Sequence, residues 1–176
     1  MEKFLFMKSK FPKETYTTTT EIVLPNDTNA LGNLHGGKLM LWMDVVSAIS
    51  AHRLCKQVVV TASVNNISFR EGIKLGSIVT LEAKVSRSFK TSMEVVIDVW
   101  VEDRVTGVKK KHNEAIFTFV AVDEKGTPLP VPEVVPESDE EKKRFDGALR
   151  RRQLSLILAG KMKPDDATEL KALFVP

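Results

Sequence analysis

The alternation of apolar and polar positions divides the chain into one long helical segment and several strand segments. Gly36 and Gly37 open a proline-free stretch to about Lys56, where apolar residues recur at steps of three and four. This pattern predicts a helix with a wide apolar face. The period then changes to two, which predicts strands. The predicted strands are Thr17 to Leu24 before the helix and Val58 to Phe69, Ile78 to Ser86, Met93 to Val101 and Ala115 to Val122 after it.

The order of these segments predicts the fold class. One apolar helix followed by an antiparallel run of strands predicts an α+β architecture, with the sheet wrapped around that helix. Ala115 to Val122 is nearly all apolar, which is typical of a strand covered on both faces. Because one helix covers only one face of a sheet, we expect apolar residues of the other face, such as Val96 and Trp100, to meet a second subunit.

A second, charged helix is predicted after the sheet. Ser138 precedes Glu141 by three residues, which is the spacing of a capping box. The helix is expected to run from about Asp139 to Leu158. We therefore divide the chain into a main domain, residues 15–133, and a linker with a C-terminal helical extension, residues 134–176.

Composition excludes several classes of protein. The net charge of +3 is too small to indicate nucleic-acid binding, and no apolar run has the roughly 20 residues of a membrane span. The single Cys55 leaves no disulfide framework of the secreted kind, and the apolar patch at the start of the sequence is too short for a signal segment. We therefore expect a soluble cytoplasmic protein without a membrane partner. Two basic runs, Lys109-Lys110-Lys111-His112 and Arg150-Arg151-Arg152, are either solvated or contact phosphate, and the second could also pack across an oligomer.

The densest group of chemically capable residues lies at the start of the first helix. Gly36 and Gly37 permit close approach of a ligand to helix N–H groups that lack partners and carry positive partial charge. Such a site holds a phosphate, or a carbonyl oxygen that becomes negative. Asp44 follows Gly37 by about two turns on the same face. A carboxylate among apolar neighbours is either functional or a solvent-facing acid, and its spacing leaves both interpretations open.

Several short motifs occur together and in order along the chain. They are Asn29-x-x-Gly32-x-x-x-Gly36-Gly37 with Trp42-Met43-Asp44, then Ser68-Phe69 and Gly76-Ser77, then Lys90-Thr91-Ser92 before Val99-Trp100-Val101, and finally Ala115 to Asp123. In this combination the chain resembles the hotdog acyl-CoA thioester hydrolases of the YciA and brain acyl-CoA hydrolase type, over roughly residues 15–133.

This resemblance implies a hotdog fold, in which a five-stranded sheet wraps around one central helix. It implies hydrolysis of acyl-CoA to the free acid and CoA, with no cofactor beyond the CoA of the substrate and no metal. Homodimers are expected as the minimal active unit, and trimers of dimers are common in the family. The length of the acyl chain does not follow from the resemblance.

The resemblance also assigns roles to individual residues. Asp44 is expected to be the catalytic acid, acting as general base or as nucleophile, and Asn29 to complete the site from the partner subunit. The amides of Gly36 and Gly37 are expected to polarise the thioester carbonyl. The remaining expected residues are His35 at the substrate and Lys90, Thr91 and Ser92 at the CoA phosphates or ribose.

Two other functions use the same fold. Hydratases and dehydratases acting on acyl thioesters need a histidine paired with an acid, and no helix-borne histidine stands at a matching position beside Asp44. A non-enzymatic acyl-CoA-binding protein would leave Asp44 without a role. Hydrolysis is therefore the leading hypothesis.

Overall fold

The computed structural model describes residues 8–65, 67 and 71–174. In this part of the chain the strands are β1 (Thr17–Ile22), β2 (Val58–Asn65), β3 (Ile78–Ser88), β4 (Ser92–Glu102) and β5 (Lys109–Val122), and the helices are α1 (Gly36–Cys55), α2 (Asp139–Leu158) and α3 (Thr168–Lys171). The predicted α+β class is confirmed. Ser68 and Phe69, at the end of one predicted strand, lie outside the described residues.

The strands form one antiparallel sheet in the order β1-β3-β4-β5-β2, so β1 and β2 are its edges. The ladders shift register at three places, and each irregularity bends the strand and increases its twist. The extra residue lies between Thr61 and Ser63 in β2, between Val85 and Arg87 in β3, and between Lys111 and Asn113 in β5. The sheet therefore curls, and α1 lies inside the curl.

The core consists of one face of α1 and the inner face of the sheet. The helix buries Leu39, Met43, Val46 and Leu54 almost completely. Burial of each such side chain contributes about 1.5–3 kcal/mol relative to exposure. The sheet contributes alternate residues of its three central strands, namely Val79, Leu81, Ala83 and Val85, then Met93, Val95, Ile97 and Val99, then Ala115, Phe117, Phe119 and Ala121.

The C-terminal end of α1 is held by contacts with the chain before β1. The Nζ of Lys10 donates hydrogen bonds to the carbonyls of Arg53 at 2.7 Å and Leu54 at 2.8 Å. Cations near a helix C-terminus satisfy its unpaired carbonyls and its negative partial charge. Lys56 then leaves the helix in a left-handed conformation, with φ of 56°. The helix is thereby fixed in its position relative to the sheet.

The outer face of the sheet is covered by α2 of the same chain. Glu94, which is buried on β4, accepts hydrogen bonds from Arg151 at 2.9 and 2.7 Å and from the Ser86 hydroxyl at 2.6 Å. Arg144, also on α2, pairs with Asp98 at 2.8 Å. Burial alone would raise the pKa of Asp98, but hydrogen bonds from Lys111 and Arg144 outweigh it and lower that pKa, so the carboxylate stays ionised.

The expectation that Val96 meets a second subunit was therefore wrong, and so was the solvated interpretation of Arg151. Val96 is only 2% exposed within a single chain, so it needs no second subunit to cover it. Trp100 is half-buried, and its indole N–H donates to Glu82 at 3.0 Å while Lys109 lies over its ring. Arg151 is not a solvated residue, because it forms a paired, partly buried contact with Glu94. Strand periodicity cannot reveal these pairings, since they join residues far apart in the chain.

The predicted boundaries of α2 are confirmed, and so is its capping box. The Glu141 N–H donates to the Ser138 hydroxyl at 3.2 Å, and the Ser138 N–H donates to the Glu141 carboxylate at 3.2 Å. The segment before α2 pairs with the start of the chain through Lys10 and Val134. The division of the chain at residue 134 stays a prediction.

We predict that Glu94→Ala destabilises the protein by about 2–3 kcal/mol, because it leaves the Arg151 guanidinium without its charged acceptor. Glu137→Ala is the matched control, since its ion pair with Lys13 is exposed and its loss should hardly change the free energy of unfolding. Urea unfolding of both variants and the wild type gives the comparison. Equal midpoints for Glu94→Ala and Glu137→Ala would contradict the role assigned to the buried pair.

Candidate active site

The loop before α1 is organised by Asn29. Its side-chain oxygen accepts hydrogen bonds from the N–H groups of Leu31 at 2.9 Å and Asn33 at 3.3 Å. Gly32 completes this turn with φ of 68°, a conformation that favours glycine. Within the described chain the Asn29 side-chain nitrogen has no hydrogen-bond acceptor. The turn therefore uses one half of the amide and leaves the other half available to a ligand.

Asp27 joins the same loop to the first turn of α1. Its carboxylate accepts a hydrogen bond from the Leu24 N–H at 3.2 Å and pairs with the Lys38 ammonium at 3.0 Å. The bond from Lys38 lowers the pKa of Asp27, so the carboxylate is ionised at neutral pH. The Asp27 carbonyl also accepts from the His35 N–H at 2.8 Å. These contacts fix where the helix begins.

The first turn of α1 presents free backbone donors. His35 is the N-cap, is exposed, and does not cap the helix with its side chain. The N–H groups of Gly36 and Gly37 have no acceptor among the described residues, as expected for the first positions of a helix. A Cβ at Gly37 would meet nothing within 4 Å, so the space in front of this turn is open. The turn can receive an oxygen that carries negative charge.

Asp44 lies on α1 at its border with the edge strand β2. The Thr61 hydroxyl donates to the Asp44 Oδ1 at 2.6 Å, and the carboxylate is half-buried. Thr61 stands directly before the register shift at Ser63, and bulges of this kind re-aim side chains. Thr61 fixes one carboxylate oxygen and leaves the other for a substrate. Thr61 is not identifiable as a site residue from the sequence, because no local pattern links residues 17 positions apart on different elements.

One chain does not bring Asn29 and Asp44 together. The helix rises about 12 Å between Gly36 and Asp44 at 1.5 Å per residue. A cavity of about 310 Å³ at the first turn is lined by Asn29 and Gly36, by the polar side chains of Asn33, Glu71 and His112, and by apolar side chains, and Asp44 is not part of its lining. Asn29 and Asp44 therefore lie at separate places on one chain.

Lys90, Thr91 and Ser92 lie at the turn between β3 and β4, away from the start of α1. Lys90 is exposed, whereas Ser92 is buried and its hydroxyl accepts from Arg152 of α2 at 2.9 Å. Ser92 thus has a protein partner, and the predicted role of this turn in CoA binding stays a prediction.

The other candidates have structural contacts. In the basic run on β5, Lys109 pairs with Glu82 at 3.6 Å and Lys111 with Asp98 at 2.6 Å, so acidic neighbours offset two of its charges. The described residues contain no group of three or more His, Cys, Asp or Glu side chains placed to hold a metal ion. In the same part of the chain, no helix combines the length and apolar composition needed to cross a membrane.

Comparison with known proteins relates this geometry to one family. The model of the thioesterase superfamily matches residues 31–108. A protein of Bacillus subtilis named as an uncharacterized acyl-CoA thioester hydrolase is 40% identical over 144 residues, which cover 82% of this chain and 84% of that protein. The cytosolic acyl coenzyme A thioester hydrolase of Rattus norvegicus is 38% identical, over 81% of this chain but only 38% of its own length.

Solved structures agree in fold. A hexameric acyl-CoA thioesterase without ligand is 36% identical, with a TM-score of 0.83 over 86% of this chain and 97% of that one. The acyl-CoA hydrolase of Staphylococcus aureus, solved with butyryl coenzyme A and coenzyme A, is 35% identical, with a TM-score of 0.79 over 87% and 95% of the two chains. The predicted hotdog fold is confirmed by these likenesses.

Three further structures of the Staphylococcus aureus hydrolase carry single alanine replacements of an asparagine, an aspartate and a threonine. The intervals along the chain between those three positions equal the intervals that separate Asn29, Asp44 and Thr61 here. The three residue types that define the candidate site therefore recur in a relative at the same spacing.

Proposed function

We propose that Asp44 is the catalytic carboxylate of this chain, which belongs to the acyl-CoA thioester hydrolases and hydrolyses acyl-CoA thioesters. The observation that carries this proposal is the hydrogen bond from Thr61 to Asp44 at 2.6 Å on the border of α1. That contact orients the carboxylate and leaves its second oxygen free. Reactive groups held by a neighbouring hydrogen bond in this way are typical of hydrolytic sites.

The free amides at the start of α1 activate the thioester carbonyl by hydrogen bonding. The thioester carbonyl oxygen binds to the N–H groups of Gly36 and Gly37, which stabilise it as it becomes negative. Asp44 acts either as base toward water or as nucleophile toward the carbonyl carbon. The hydroxyl of water is added to the carbonyl carbon and the carbon–sulfur bond breaks. The products are the free acid and CoA, whose sulfur takes the remaining proton of the water. His35, exposed beside these amides, lines the substrate.

The proposed active unit is a homodimer at least, with a trimer of dimers as the expected full assembly. Leu41, Val45 and Ile49 are apolar and about half exposed along one side of α1. β2 is an unpaired edge strand with exposed Val58 and Val60. An exposed apolar surface and an open strand edge each favour association with another chain. A two-fold partner can then present its Asn29 to this chain's Asp44.

The substrate is held through both of its ends. Lys90, Thr91 and Ser92 are proposed to contact the CoA phosphates or ribose, and no cofactor beyond the CoA of the substrate is proposed.

We place the protein in the cytoplasm, without nucleic-acid or membrane partners. The support for this location is a sequence with one cysteine, Cys55, which cannot form an intrachain disulfide.

Asp44→Asn is expected to lower kcat by about 10³-fold, because it keeps the shape of the side chain but removes the proton acceptor. Thr61→Val keeps the volume and removes only the hydroxyl, so kcat is expected to fall by about tenfold. Release of free CoA, followed with a thiol reagent, measures both variants, and sedimentation verifies that they assemble. Near-normal turnover by a folded Asp44→Asn protein would overturn the proposed role of the carboxylate.

Gly37→Ala is expected to separate stability from activity. The added methyl group enters open space, so the free energy of unfolding should change by no more than about 0.5 kcal/mol. The same methyl crowds the amide that binds the carbonyl oxygen, so kcat/KM should fall at least about tenfold. Urea unfolding and the CoA-release assay give the two values. Full activity in this variant would exclude the Gly37 amide from the reaction.

Mixing of inactive variants tests whether the site is shared between chains. Asn29→Ala and Asp44→Ala homomers should each be almost inactive. A mixed dimer has one intact site, formed by Asp44 of the first variant and Asn29 of the second. Random re-assembly should therefore restore up to about a quarter of wild-type activity.

The two variants are mixed in denaturant, refolded together and assayed, with each refolded alone as the control. Native mass spectrometry verifies that mixed assemblies form. If they form and hydrolysis stays absent, Asn29 and Asp44 act within one chain and the shared-site model is wrong.

A further inference from the structure

The arginines of α2 differ in how their charges are balanced. Arg144 pairs with Asp98, and Arg151 donates two hydrogen bonds to Glu94. Arg152 has no carboxylate within ion-pair distance in the described part of the chain. It donates instead to the neutral Ser92 hydroxyl at 2.9 Å and lies 4.2 Å from the centre of the Phe89 ring.

An arginine held in this way carries an energetic cost. Burial lowers the pKa of Arg152, and no opposing charge counters the effect, although a guanidinium stays protonated at neutral pH. A partly desolvated charge without a counter-ion is unfavourable unless a ligand supplies the missing charge. The contacts with Phe89 and Ser92 hold the guanidinium in one position, which prepares it to bind an anion.

Arg152 lines a cavity of about 280 Å³ between α2 and the outer face of the sheet. Lys161, just after α2, lines the same cavity and likewise has no carboxylate partner among the described residues. The Glu94 carboxylate at the wall is already neutralised by Arg151. The cavity therefore has an excess of positive charge, and the surrounding donors are the polar side chains of Ser63, Asn65, Thr118 and Ser155.

The chemistry of the cavity matches a phosphate group. Two cations with adjacent hydroxyl and amide donors suit an anion with several oxygens and more than one charge. A volume of about 280 Å³ is at the lower limit for small-molecule sites, so the cavity holds one end of a larger molecule. Phe89 and Ser92 flank Lys90 and Thr91, and this turn is the proposed contact of the CoA nucleotide.

We propose that the cavity under α2 binds a phosphate of the acyl-CoA substrate, with Arg152 and Lys161 as its cationic ligands. The C-terminal extension then forms part of the substrate site, although it lies on the opposite face of the sheet from Asp44. The pantetheine arm of CoA separates the phosphates from the thioester, so the two sites act on different parts of one molecule. This inference rests on the proposed function and adds the residues that bind the nucleotide end.

The test compares substrates with and without the phosphates. Arg152→Gln should raise KM for butyryl-CoA about tenfold and leave kcat within twofold, because only binding of the charged end is lost. With butyryl-pantetheine, which has no phosphate, wild type and variant should have equal kcat and KM. Lys161→Gln should raise KM for butyryl-CoA alone by a smaller factor, and its exposed position makes misfolding no concern. Arg150→Gln is the matched control, since Arg150 does not line the cavity.

A third substrate identifies the phosphate. If the cavity binds the 3′-phosphate, butyryl-dephospho-CoA should give the wild type the same raised KM as the variant. If it binds the pyrophosphate, the difference between wild type and variant should persist with this substrate. Either result supports the proposal.

The proposal is overturned if Arg152→Gln and Lys161→Gln leave KM for butyryl-CoA unchanged. It is also overturned if Arg152→Gln impairs butyryl-CoA and butyryl-pantetheine equally, which would make Arg152 a structural residue. Binding of free ADP or inorganic phosphate without any effect of the variants on KM would assign the cavity to a separate anion, against the proposal. Hydrolysis of butyryl-pantetheine reports on Asp44 independently, so failure of this inference is distinguishable from failure of the proposed function.

Discussion

Burial of one face of α1 inside the curled sheet is the constraint on which the rest of the structure depends. Met43 and Val46 must face the inner side of the sheet, because there they contact the aromatic and branched residues of the central strands. Because Asp44 lies between these two residues in the helix, its side chain then lies at the border of α1 beside β2. The carboxylate reaches Thr61 for this reason, and the same orientation of α1 leaves Leu41 and Val45 exposed beside it.

The length of α1 then separates the two chemical functions of the site. Its free amides lie at Gly36 and Gly37, and its carboxylate lies about 12 Å further along, at 1.5 Å per residue. A straight helix cannot bring its own first turn to its own middle. Two helices related by a two-fold axis can place the first turn of each beside the middle of the other. The proposed shared site therefore requires assembly, and the exposed edge of β2 is an open surface for pairing with another chain.

Local signals explain which features the sequence predicts well. The structure places α1 at Gly36–Cys55 and α2 at Asp139–Leu158, as the helical periodicity, the glycines and the Ser138–Glu141 capping box indicated. The contact of Thr61 with Asp44 was not predictable in this way. It depends on strand register, on a bulge and on the rotation of α1, all of which are set by tertiary packing.

The outer face of the sheet was misjudged for a related reason. Apolar residues such as Val96 indicate that a face is covered, but they do not identify what covers it. The identity of the cover lies in matched charges, since Glu94 and Asp98 on β4 meet Arg151 and Arg144 on α2. These arginine–carboxylate pairs position α2 on the sheet, and each of the two arginines has a carboxylate that neutralises its charge. Arg152 is partly buried beside the turn at Ser92 without such a carboxylate among the described residues, so at this place the described part of the chain does not supply the anion.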